Sequence, residues 1–178
     1  MVLEDALTGV CIVGASRTGT NMLAGLFAQH GFFFGKCRPA DDRNPKGFFE
    51  NLQIYGGRRD VLKVLKEEGL QPGQNWGVKV GHSIYPKLKP PVDLTLATWR
   101  DPDQIRASRK RAKGFGGKGG NMDTKRLIEP YRVINTTKLG AGDFSEVRDA
   151  FALLGVPFDM ETARAWIAPE IWNRGMEA

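Results

Sequence analysis

A chain of 178 residues that is 41% hydrophobic and 26% charged has the size and composition of one globular domain, which excludes a fibrous or wholly disordered protein and makes a second domain unnecessary. Its net charge of +6 is concentrated, with eight Lys or Arg against one Asp between Arg106 and Arg126; such a patch suits a polyanion, whether a nucleotide, a nucleic acid, or a sulfated or phosphorylated substrate. The apolar stretches are far shorter than the roughly 20 residues of a spanning helix, and Glu4 and Asp5 stand where a secretory signal carries positive charge, so we expect a cytoplasmic protein with no membrane contact.

Val10 to Val13 is a β-favouring run ending in Gly14, and Thr20 to His30 follows with Met22, Leu23, Leu26 and Phe27 on one helical face, stopped by Gly31. Phe32 to Phe34 is a short strand candidate. Lys36 to Lys46, with Pro39, Asp41, Asp42, Asn44 and Pro45, reads as a loop. Glu50 to Glu68 reads as a helix broken near Gly56 and Gly57. Trp76 to Val80 and Asp93 to Trp99 are further strands, the second apolar on both faces like a buried parallel strand. Asp101-Pro102 is a helix start signal, an N-cap followed by proline at the first helical position, and predicts a helix over Pro102 to Ala112. Lys113 to Asn121 holds five glycines and two lysines and is expected to be a flexible loop. Tyr131 to Asn135 is a last strand, and Phe144 to Leu154 and Thr162 to Ile167 are the closing helices. The two cysteines, Cys11 in an apolar run and Cys37 in a polar one, suggest free thiols, with no disulfide framework and no metal site. The alternation predicts a single α/β domain over residues 1–178: a three-layer parallel sheet of about four or five strands with helices on both faces, opening on the strand, glycine-bearing loop and helix of many nucleotide-binding α/β folds.

Chemistry is concentrated in Gly14-Ala15-Ser16-Arg17-Thr18-Gly19-Thr20-Asn21. Between a strand and a helix, the backbone N–H groups of this loop and the helix N-terminus can cradle a phosphate or sulfate. Gly14 and Gly19 have the spacing of a Walker A loop, but Thr20 and Asn21 stand where a magnesium-dependent NTPase needs Lys and then Ser or Thr, which disfavours that class and leaves Arg17 as the cation of the loop.

Ser16-Arg17-Thr18-Gly19-Thr20-Asn21 resembles the loop with which sulfotransferases bind the 5′-phosphosulfate of 3′-phosphoadenosine 5′-phosphosulfate (PAPS). Arg100-Asp101-Pro102, with Ser108 eight positions after Arg100, is similar to the second motif of that family, whose arginine and serine hold the 3′-phosphate. Asn44 to Glu50, Trp76-Gly77-Val78-Lys79 and Leu153 to Pro157 also look like segments of small bacterial and viral sulfotransferase-like proteins. Ser16 and Thr18 replace the proline and serine of the usual pattern, and Met22 stands where many members place an adenine-stacking tryptophan. The resemblance implies a P-loop fold and sulfuryl transfer from PAPS, without a metal, to a hydroxyl or amine of a small-molecule or saccharide acceptor, leaving 3′,5′-ADP. It implies PAPS contacts from Ser16, Arg17, Thr18, Gly19, Thr20, Asn21, Arg100 and Ser108. Arg17 would hold the bridging oxygen, Lys79 would be a second cation, and either Glu50 or His82 would be the base, with Glu50 favoured.

Two other readings compete. One is a noncatalytic adenine-nucleotide or polyanion-binding protein of the same fold. The other, less favoured because Phe115 is the one aromatic in the Arg106 to Arg126 run, is a nucleic-acid-binding protein.

Overall fold

The computed structural model describes residues 8–41, 44–111 and 120–168. Four strands form one parallel sheet: β1 (Gly9–Gly14), β2 (Trp76–Gly81), β3 (Leu94–Trp99) and β4 (Tyr131–Asn135), in the order β2-β1-β3-β4. β1 is central, every one of its residues buried, with Ile12 in register with Lys79 on one side and Leu96 on the other. Parallel neighbours in register share a face, so alternate residues sort into two packed layers.

One face carries Val10, Ile12, Leu94, Leu96 and Ile134. It is covered by α1 (Thr20–Gln29), α6 (Thr136–Gly140), α7 (Ser145–Leu153) and α8 (Met160–Ile167) through Leu23, Phe27, Leu139, Phe151 and Ile167. The other face carries Cys11, Val13, Val78, Val80 and Ala97. It is covered by α2 (Leu52–Tyr55), α3 (Val61–Glu67) and α4 (Tyr85–Leu88) through Ile54, Val64, Leu65, Tyr85 and Leu88. The class is α/β, with helices on both faces of a parallel sheet. Among the described residues no helix is long and apolar enough to cross a membrane.

Local signals explain most boundaries. Asp101 Oδ1 accepts from the N–H groups of Asp103 and Gln104 at 2.8 and 3.2 Å, capping α5 (Pro102–Arg111) as the Asp-Pro pair predicts. Asn51 and Asp60 cap α2 and α3, so the predicted Glu50 to Glu68 helix is two helices parted at Gly56 and Gly57. Asp159 caps α8 and starts it two residues before the expected Thr162.

Phe32 to Phe34 is not a strand. It makes a single parallel bridge, Phe33 to Trp76, because Gly31 and Gly35 turn the chain at φ 87° and 70° on either side. Phe34 instead packs over Gly77, where a Cβ would strike its ring. The sheet therefore has four strands and not five. α4 and α6, of four and five residues, were not expected. The predicted loop over 113–121 lies outside the described residues up to position 119, as does Ala112 at the expected end of α5.

α1 and α8 meet closely at Gly25, where a Cβ would collide with the Trp166 indole. That indole donates from Nε1 to the Met22 carbonyl at 2.8 Å. Gly25→Ala should therefore destabilise the protein by about 1–3 kcal/mol through overpacking. Urea unfolding followed by Trp fluorescence checks this, and an unchanged midpoint would show that the α1–α8 seam yields without strain.

Candidate functional site

The five residues between β1 and α1 form a tight loop at the C-terminal end of the sheet, where open parallel sheets place their ligand crevices. Two of them need the left-handed backbone region: Arg17 at φ 71° and Gly19 at φ 85°. For arginine that conformation is unusual. It is held from below by hydroxyl groups. Thr18 Oγ1 lies 2.8 Å from the Ala15 carbonyl and 2.6 Å from Thr98 Oγ1 on β3. Thr136 Oγ1, at the first position of α6, lies 2.7 Å from the Thr18 carbonyl and 3.0 Å from that of Trp99. The side chain of Thr18 thus braces the loop from inside, fully buried.

What the loop presents outward is donor-rich. Among the described residues no acceptor takes the N–H groups of Arg17, Gly19, Thr20 or Asn21, the last two being first-turn donors of α1, where a helix leaves them open. The Arg17 guanidinium is half-buried, has no carboxylate or carbonyl partner among the described residues, and is pushed below its ordinary pKa by desolvation. Ser16 is exposed, Thr20 is partly exposed, and Asn21 Oδ1 is shut from solvent without a donor among the described residues. A half-buried cation over a ring of free N–H groups is an arrangement an oxyanion would satisfy.

Arg100, just after β3, reaches this loop. Its Nη1 donates to the Arg17 carbonyl at 3.3 Å and its Nε to Gln104 Oε1 at 3.2 Å. Its backbone is clamped by one side chain: Asn121 Oδ1 accepts from the Arg100 N–H and Asn121 Nδ2 donates to the Arg100 carbonyl, both at 2.9 Å. The two predicted arginines therefore meet at one site. Ser108, two turns along α5, is half-buried, and its hydroxyl makes no hydrogen bond, to Arg100 or to any other group, among the described residues.

Lys79 and Glu50 also come together, as an ion pair on the α1 side of the sheet at its β2 edge. Lys79 is buried, and burial lowers its pKa while Glu50 pulls it back up. Glu50 precedes the Asn51 cap and so is not a first-turn helix carboxylate. One of its oxygens holds Lys79; the other, Oε2, is buried without a donor among the described residues. Tyr55 stands nearby, its hydroxyl accepting from the Gly81 N–H at 2.8 Å, and burial with the Glu50 charge pushes its pKa up to about 12. His82 is exposed just past β2, its N–H bonded to the Gly14 carbonyl at 3.1 Å.

Cys37 shares the Glu50 and Lys79 environment. Burial, then the charges of Glu50 and Glu68, push its thiol up to about 12 from an ordinary value near 9. Cys11, on the central strand β1, is shifted in the same direction by burial. Both are free thiols. Because the thiolate is the nucleophile, Cys37 should react with iodoacetamide at pH 8 about a thousandfold more slowly than an open thiol. Quantitative mass spectrometry reads this, and labelling at the rate of glutathione would contradict the buried setting. Among the described residues no group of His, Cys, Asp or Glu is arranged to hold a metal.

Asn121, Thr98 and Thr136 were not anticipated as parts of this site. The sequence matches no protein-family model and no curated protein.

Proposed function

We propose that the protein is a sulfotransferase of the P-loop type that moves a sulfuryl group from PAPS to a hydroxyl or amine of a small-molecule or saccharide acceptor. The observation that carries this reading is the convergence of Arg17 and Arg100 on a loop whose outward N–H groups are unbonded among the described residues. A donor nucleotide with anionic groups at both its 5′ and 3′ ends matches two cations at one loop. ATP with magnesium matches less well, since position 20 is Thr and position 21 is Asn, not the lysine and hydroxyl of an NTPase.

The residues present fit such a donor. The N–H groups of Arg17, Gly19, Thr20 and Asn21 would receive the 5′-phosphosulfate oxygens, and the Arg17 side chain would hold the oxygen that bridges phosphorus and sulfur. Charge that builds on that oxygen as the S–O bond breaks is stabilised by donors already in place, so little reorganisation is needed. Arg100 and Ser108 would face the 3′-phosphate. Ser16 and Thr20 would add hydroxyl donors at the mouth, and Thr18 would keep the loop in shape.

Glu50 would act as the base. Lys79 holds its carboxylate through one oxygen, and the acceptor hydroxyl would supply the donor that Oε2 lacks among the described residues. As the acceptor oxygen bonds to sulfur its proton passes to Glu50, and 3′,5′-ADP departs with the electrons of the broken S–O bond. His82 is the alternative base, exposed at the same end of the sheet. Glu50→Gln should bind 3′,5′-ADP as the parent does and lose about a hundredfold or more in transfer rate, in the range typical of a removed general base; if His82→Ala shows that pattern instead, the base is the histidine.

Arg100→Ala should weaken 3′,5′-ADP by about tenfold or more, as for a lost charge-assisted hydrogen bond, and AMP far less, since AMP has no 3′-phosphate. Equal losses for the two nucleotides would assign Arg100 to bracing the loop alone.

A further inference from the structure

Beside the loop lies a cavity of about 410 Å³, bounded by Ala15, His82, Arg109, Asn121, Met122 and Arg126 among others. It is large enough for a compact organic molecule. Its wall holds the cation of Arg109. Nε and Nη2 of Arg109, on α5, are shut from solvent and have no hydrogen-bond partner among the described residues. A guanidinium does not give up its proton, so a buried one is relieved only by an acceptor, best an anion.

The neighbouring cations differ. Arg106, one turn earlier, is paired with Asp103, and Arg100 is engaged by the Arg17 carbonyl and Gln104. Arg109 remains, a cation of the lining with two nitrogens unmatched among the described residues, and a carboxylate, sulfate or phosphate is the kind of partner that satisfies a guanidinium. Arg126 brings a second positive charge to the same cavity, and His82 a ring donor. The one acidic group in the lining, Asp123, is engaged as a cap, its Oδ1 accepting from the Lys125 N–H at 3.0 Å. Met122 and Ala15 add apolar wall for a carbon skeleton. Ala15 also belongs to the loop, so an occupant of the cavity lies against the proposed sulfuryl site.

We propose that this cavity is the acceptor subsite and that the acceptor already carries an oxyanion, held by Arg109 with support from Arg126. This deepens the sulfotransferase reading and rests on it for the word acceptor. The chemical class is a small hydroxylated molecule with a carboxylate, sulfate ester or phosphate ester.

Calorimetry tests it with glucuronate, glucose 6-sulfate and glucose 6-phosphate as probes and glucose as the neutral control, each with and without saturating 3′,5′-ADP. At least one charged sugar binds and glucose does not. Arg109→Ala weakens that sugar tenfold or more, Arg109→Lys keeps part of the affinity, and Arg126→Ala gives a smaller loss. Arg109→Ala leaves 3′,5′-ADP affinity unchanged and does not lower the denaturation midpoint, because it removes an unpaired charge. The proposal is overturned if none of the three charged sugars binds, if glucose binds as well as they do, or if Arg109→Ala leaves sugar affinity intact. It is equally overturned if Arg109→Ala weakens 3′,5′-ADP tenfold, which would assign the guanidinium to the nucleotide. If the parent protein does not bind 3′,5′-ADP, the sulfotransferase reading fails, while the nucleotide-free sugar titrations still decide whether the cavity is an oxyanion site.

Discussion

Replacing Arg17 by alanine or glycine should weaken 3′,5′-ADP by about ten- to a hundredfold, the equivalent of one charge-assisted contact of about 1.5–3 kcal/mol. In the proposed reaction transfer should fall further still, because the same side chain would face the oxygen on which charge develops. The pair of variants separates function from folding. Arg17 sits at φ 71°, where alanine is strained and glycine is not. Arg17→Gly should therefore be at least as stable as the parent in urea while losing the nucleotide. If it keeps parental affinity, the guanidinium is a bystander and the unbonded N–H groups alone hold whatever binds there.

The Lys79–Glu50 pair should give the largest effect on stability. Breaking a buried ion pair from one side costs about 3–5 kcal/mol. The two variants should differ, because the groups they leave behind do. Lys79→Met leaves Glu50, whose side chain is 25% exposed, so water takes up part of the loss and about 3 kcal/mol, the lower end of the range, is expected. Glu50→Gln leaves Lys79, only 5% exposed and already lowered in pKa by burial. Without its carboxylate the lysine is lowered further, so the unfolded chain holds a proton that the folded chain sheds. Stability then rises with pH: the penalty is full below the folded pKa and shrinks as pH climbs toward 10.5. Urea midpoints for Glu50→Gln at pH 7 and pH 9.5, each referred to the parent, read the trend. A penalty that grows with pH, or one absent at both, would mean that the pair is not a stabilising contact. The double variant Lys79→Met/Glu50→Leu should recover much of either loss, since no charge is then left alone.

Local sequence signals carried much of this architecture. β1, the loop and α1 follow from a β-branched run, a glycine-flanked turn and helical spacing of Met22, Leu23, Leu26 and Phe27. α5 follows from Asp101-Pro102, whose cap has the expected hydrogen bonds. Elements too short to show a period were hidden: α4 has four residues, and α6 is marked only by its Asn135 cap. Phe32 to Phe34 has strand-like composition, yet its flanking glycines allow turns that tertiary packing then uses, so propensity lost to context. His30 ends α1 as expected, its Nδ1 2.8 Å from the Leu26 carbonyl, and its ring also stacks on Phe158.

The site was legible in types but not in partners. Arg17, Arg100, Lys79 and Glu50 stand out by motif, but that Lys79 pairs with Glu50, 29 positions away, is a fact of the folded chain. So is the clamp of Asn121 on the Arg100 backbone, and so are the Thr98 and Thr136 hydroxyls under the loop. A threonine in a strand reads as β propensity until the loop above it is in place. Arg109 was one cation among eight in a basic run; only the two nitrogens it leaves without a partner among the described residues single it out.

The central claim is that one loop, with Arg17 and Arg100, grips a doubly phosphorylated adenosine. Titrating the parent protein calorimetrically with 3′,5′-ADP, AMP and ATP-Mg tests it most directly. The account predicts one molecule of 3′,5′-ADP bound per chain, about tenfold or more tighter than AMP, as one phosphate contact implies, with ATP-Mg weakest. Tightest binding of ATP-Mg, equal affinity for AMP and 3′,5′-ADP, or no heat from any of the three would contradict it.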